Sequence, residues 1–139
     1  DYTIFWRELS SLPKNVEALR TSFYETRGAY RRDSLAMEAR WAAWLGKWHA
    51  VLAQEGRNQA EVVTKMKRVN PKYIPRERIM VEAYRSATDE GDYSQVHRLH
   101  KVLVDPYDEQ SEAVAALFYK KKEERLFDLG GTSHCSCSS

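Results

Sequence analysis

Two thiols one residue apart, Cys135 and Cys137, stand in the run His134-Cys135-Ser136-Cys137-Ser138-Ser139. Such a pair can exchange with a disulfide elsewhere or close a small, strained ring, and strained exposed disulfides are the labile kind that suits regulation. His134, when protonated, favours the thiolate of its neighbour Cys135. Any two tail cysteines would look much the same, so a redox pair and an inert tail both stay open. The sequence has no other cysteine. No disulfide framework therefore holds the fold, which favours a reducing compartment.

His97 and His100 lie three residues apart and could share a metal, with Cys135 and Cys137 completing a Cys2His2 set. Their spacing matches no familiar zinc finger, so zinc is the weaker reading. Asp105, Asp108, Glu109 and Glu112 cluster, but without the alternating ligands and turn glycine of a calcium loop. Capping and turn duties are expected of them instead. Arg57–Arg78 carries seven basic residues (Arg57, Lys65, Lys67, Arg68, Lys72, Arg76 and Arg78) against Glu61 and Glu77. That excess suits a phosphate or an acidic surface. Without a glycine-rich phosphate loop, a solvated face or an intramolecular docking surface is the plainer reading. Trp41, Trp44 and Trp48 form an aromatic stripe that is expected to pack into a core rather than to stack a ligand.

The elements that must position these groups read as helix after helix. Phe5, Leu9 and Leu12 recur at helical spacing until Pro13 interrupts. Val16, Leu19 and Phe23 predict a second short helix, and Tyr24–Arg32 reads as loop. The clearest helix runs from an N-cap at Asp33 or Ser34 to a terminal glycine at Gly56, with Trp41, Trp44, Leu45, Trp48 and Leu52 facing a core. Asn58 caps the next, which carries Val62, Val63, Met66 and Val69 and stops at Asn70-Pro71, since a residue before proline is pushed out of the helical region. Lys72–Pro75 is then extended. Helix resumes from Glu77 to Glu90, and Glu90-Gly91-Asp92-Tyr93-Ser94 reads as a glycine C-cap followed by an N-cap. The following helix carries Val96, Leu99, Val102 and Leu103, so the pair makes an αα-hairpin that ends at Asp105-Pro106. Ser111 caps a last helix through Val114, Leu117 and Phe118, reaching as far as Leu126, and Gly130-Gly131 breaks it. The fold class is all-α. Residues 1–130 read as one helical region and 131–139 as a flexible tail.

Composition bounds the function. A chain of 139 residues with 42% hydrophobic and 30% charged residues can fold around a modest core and is no disordered tail. A net charge of +2 is too small to make nucleic acid or an anionic membrane the main partner. No apolar run approaches the roughly 20 residues of a membrane helix. An amphipathic pattern beginning at the first residue is the expectation for part of a larger protein.

Four stretches carry a family resemblance: Asn70-Pro71-Lys72-Tyr73 with Arg76, then Glu90-Gly91-Asp92-Tyr93-Ser94, then Asp105-Pro106-Tyr107-Asp108-Glu109-Gln110, then Cys135-Ser136-Cys137-Ser138-Ser139. In that order and spacing they resemble the C-terminal region of the selenoprotein O family, with residues 1–56 matching its more variable helical part. The resemblance implies a protein-kinase-like (pseudokinase) parent that binds ATP inverted and, with Mg2+, transfers AMP to protein hydroxyl groups. It implies a mitochondrial setting in eukaryotic members and a cytoplasmic one in bacteria. Many animal members carry selenocysteine where this chain has Cys137. A selenol is ionised at neutral pH and a thiol mostly is not, so redox activity is expected to be weaker here.

The family's nucleotide and metal residues lie upstream of the matched region. No catalytic residue therefore carries over, and ATP and Mg2+ are expected in the parent with none bound by this segment. The expected partners are the parent's kinase-like core, which this segment supports, and the parent's protein substrates. Asn70, Pro71, Lys72, Tyr73 and Arg76 are expected to form a docking element. Arg78 departs from members that carry an apolar residue at its place. A competing class is a stand-alone helical interaction module, because the turn at Glu90–Ser94 resembles those of tetratricopeptide repeats. No second copy recurs at a period near 34 residues, which counts against it.

Overall fold

Side-chain caps mark where several of the helices begin. Asp33 Oδ1 accepts from the Ala36 amide at 2.9 Å, Asn58 Oδ1 from the Ala60 amide at 2.9 Å, and Ser111 Oγ from the Val114 amide at 3.3 Å. Each satisfies an amide that has no partner within its own helix. In the computed structural model, which describes residues 1–26 and 28–124, the elements run in the order α1 (Tyr2–Leu9), a 3-10 helix (Glu17–Ser22), α2 (Gly28–Arg32), α3 (Ser34–Gln54), α4 (Gln59–Val69), α5 (Glu77–Arg85), α6 (Ser94–Val104) and α7 (Glu112–Phe118). No strand occurs among the described residues, so the all-α expectation holds.

The contacts divide the chain into two compact units, Asp1–Asn70 and Pro71 onward. The first unit is built on Leu9, Leu19 and Leu45, with Phe5, Phe23, Trp48 and Met66 packed around them. The second is built on Tyr73, Val102 and Phe118, flanked by Ile79, Leu99, Leu103, Val114 and Tyr119. Fully burying an aliphatic or aromatic side chain contributes about 1.5–3 kcal/mol. Each unit thus holds a small core of its own.

Several expected boundaries move, each for a local reason. Helix α1 stops at Leu9 rather than continuing to Leu12, because Leu12 precedes proline and adopts a left-handed φ of 53°. The Val16–Phe23 helix is the tighter 3-10 form over Glu17–Ser22. The stretch Tyr24–Arg32, expected as loop, contains α2. Tyr30 is buried there with its ring 5.1 Å from Phe23, so tertiary packing orders a polar segment. The helix starting at Glu77 widens into a π turn over Ser86–Glu90 before Gly91 ends it. Helix α7 ends at Phe118, because Tyr119 leaves the helical region with a ψ of 65°; the expected extension is not formed over the described residues 119–124, and Leu126 lies outside the described residues.

Helices α5 and α6 pack as the expected hairpin. Gly91 makes its turn at φ +68°, a conformation any L side chain enters with strain. Nothing lies within 4 Å of a Cβ built there, so Gly91→Ala pays only for the backbone. We expect a loss of about 1 kcal/mol, read as a lower urea midpoint at unchanged slope. Next to it, the amide and hydroxyl of Ser94 both donate to Asp92, holding that carboxyl below the usual carboxylate range. A depressed carboxylate adds stability above its ordinary pKa and loses it as the pH falls, so acid loosens this turn.

Candidate functional site

Two of the four resemblance motifs, far apart in sequence, meet in the second unit. The amides of Lys72 and Tyr73 both donate to the Pro106 carbonyl, at 2.8 and 3.1 Å. The Tyr73 hydroxyl donates to the Glu109 carbonyl at 2.7 Å, and its ring is 1% exposed in the core. Lys72 Nζ reaches the same residue twice, the Glu109 carboxylate at 2.8 Å and the carbonyl at 3.1 Å. That ammonium also lies 5.6 Å from the Tyr73 ring centroid and 5.5 Å from that of Tyr119, within cation–π range. The Gln110 side-chain amide donates to the Val102 and Asp105 carbonyls, at 2.9 and 3.0 Å. It thereby satisfies carbonyls that α6 leaves open at its C-terminus.

The segments Pro71–Tyr73 and Asp105–Gln110 therefore form one lock. Short extended backbone pairs with a proline turn, and a buried tyrosine pins the two together. Arg76 is buried as well, at the N-cap of α5. Asn70 belongs to the first unit, where its carbonyl accepts from Arg7 Nη1 at 3.0 Å and its side-chain amide donates to Ser10 Oγ at 3.1 Å. Of the expected docking residues, Asn70, Lys72 and Tyr73 are thus held by partners within the chain. The acceptor role of Pro106, beyond ending the hairpin, and the roles of Gln110 and Arg7 are what the sequence left unassigned. Only the quoted motif around Asp105–Gln110 pointed toward the first two.

The aromatic stripe of α3 is a partial correction. Leu45 carries the burial, at 2% exposure, while Trp44 stays 38% exposed. Trp44 stacks on Trp48 at 6.0 Å and meets Trp41 edge-on at 5.7 Å, and Phe5 lies 5.2 Å from Trp41. The tryptophans form a half-buried aromatic shoulder beside the core. Elsewhere in this unit Arg20 meets Glu38, Glu17 and Glu25, whose charges, Glu38 foremost, raise the guanidinium pKa.

His97 and His100 are exposed on α6, and no group of three metal-ligating side chains occurs among the described residues. Asp108 accepts from the Glu109 amide at 2.8 Å, a turn role like the one expected of that cluster. Cys135 and Cys137 lie outside the described residues. Among the described residues, no helix is long and apolar enough to cross a membrane. The sequence has no glycine-rich phosphate loop to hold ATP, and among the described carboxylates Asp33 serves a cap, Asp108 a turn and Glu109 an ion pair.

Comparison with known proteins gives clear relatives. The chain is 40% identical over 118 residues to the protein nucleotidyltransferase YdiU of Thiobacillus denitrificans, covering 84% of this chain and 22% of that protein. It is 39% identical over 113 residues to the protein of the same name from Cupriavidus metallidurans, covering 81% and 19%. With the Burkholderia vietnamiensis protein, again of that name, identity is 34% over 139 residues, covering 100% and 24%. The chain thus spans about a fifth to a quarter of the curated relatives it matches. No family model matches the chain, and no solved structure matches it.

Proposed function

Over its own length the chain belongs to the protein nucleotidyltransferase YdiU family, the selenoprotein-O-like proteins, and on that premise we propose that it is the helical C-terminal part of an enzyme that moves AMP from ATP to protein hydroxyl groups. The observation that carries this reading is identity of 34–40% through most or all of the chain with relatives named protein nucleotidyltransferases. ATP and Mg2+ are held by the kinase-like core outside this stretch, and protein substrates meet that core. This segment supports it. Asn70, Pro71, Lys72, Tyr73 and Arg76 serve docking through shape, giving the core a fixed surface rather than reactive groups. Cys135 and Cys137 act as a redox pair that adjusts activity. The enzyme works in the cytoplasm of a bacterium or the mitochondrion of a eukaryote.

The test uses ATP labelled on the α-phosphate and, in parallel, ATP labelled on the γ-phosphate, with the full-length enzyme, the same enzyme lacking this stretch, and this stretch alone. The full-length enzyme is expected to label protein hydroxyls, the truncated one about a hundredfold less, and the stretch alone not at all. Label arriving from the γ-phosphate instead would make the enzyme a kinase and overturn the reading. Cys137→Ser is expected to abolish any dependence of labelling on the glutathione poise, while leaving the reduced activity unchanged.

A further inference from the structure

We draw no further inference here: the strongest candidate, the cluster of Glu17, Glu25 and Glu38 around Arg20 in the first unit, is an acidic cluster whose carboxylates already meet that guanidinium, and among the described residues it forms no group of three side chains able to hold a metal ion.

Discussion

Tyr73→Ala is expected to unfold the second unit while leaving the first in place. The ring is 1% exposed, packs with Val102 and Phe118, and carries a hydroxyl bonded to the Glu109 carbonyl at 2.7 Å. Truncating a buried aromatic to alanine costs about 3–5 kcal/mol. A whole domain is typically stable by about 5–15 kcal/mol, so a unit of this size keeps little afterwards. Tyr73→Phe separates the contributions. It keeps the packing and removes one of the two donors to the Glu109 carbonyl, Lys72 Nζ remaining, a loss of about 1 kcal/mol. The readout exploits composition: all four tryptophans, Trp6, Trp41, Trp44 and Trp48, lie in the first unit. Urea titration should show the helical signal of Tyr73→Ala falling early, while tryptophan fluorescence keeps its midpoint. Equal shifts in both signals would mean that Tyr73 does not act through the second core.

The Tyr73 lock also shows where sequence reading stops. Caps are short-range chemistry, a side chain bonding an amide two or three residues on, so Asp33, Asn58 and Ser111 were legible as helix starts. Gly56 and Gly91 were legible as stops because only backbone conformation is at stake, and both have positive φ. The lock joins residues 36 apart, and periodicity carries no information on which loop another loop will meet. Resemblance supplied both halves without revealing that they touch. The 3-10 helix, the π turn and α2 were missed because packing, not propensity, selects among local forms of similar energy. The stripe on α3 was seen, yet its depth was not. Three tryptophans at helical spacing announce an apolar face, while whether they sit in the core or on its shoulder depends on what packs above them.

The site itself was less legible than the fold, for a reason of chemistry rather than of pattern. The thiols proposed as its redox pair, Cys135 and Cys137, lie in a stretch without helical periodicity, and such a role depends on a partner thiol or oxidant that no spacing rule names. The motif residues Lys72, Tyr73 and Arg76 carry groups that elsewhere do catalysis. Here Lys72 is paired to Glu109, and Tyr73 and Arg76 are buried. Residue type alone does not separate a brace from a catalyst. Distance and burial do.

Arg7 is where this distinction has its second large consequence. Its side chain enters the first unit from α1 at 4% exposure, and Nη1 donates to the carbonyls of Lys67, at 3.1 Å, and Asn70, at 3.0 Å. These carbonyls belong to the last turn and C-cap of α4, where a helix leaves acceptors unsatisfied and carries partial negative charge. One cation thus closes a helix end some sixty residues away in sequence, and does so where water has little access. Arg7→Met keeps much of the volume and removes the donors. We expect a loss of about 3 kcal/mol, the cost of removing charged hydrogen bonds and stranding buried acceptors. Arg7→Lys restores the charge but not the planar fork, because an ammonium on a flexible stem is a compact point donor. It should recover less than half of the loss. Tryptophan fluorescence reports this transition directly, since Trp6 is the neighbour of Arg7 in α1. Full recovery by lysine would assign the effect to charge at the helix end alone, and no loss in Arg7→Met would remove Arg7 from the set of residues that hold α1 to α4.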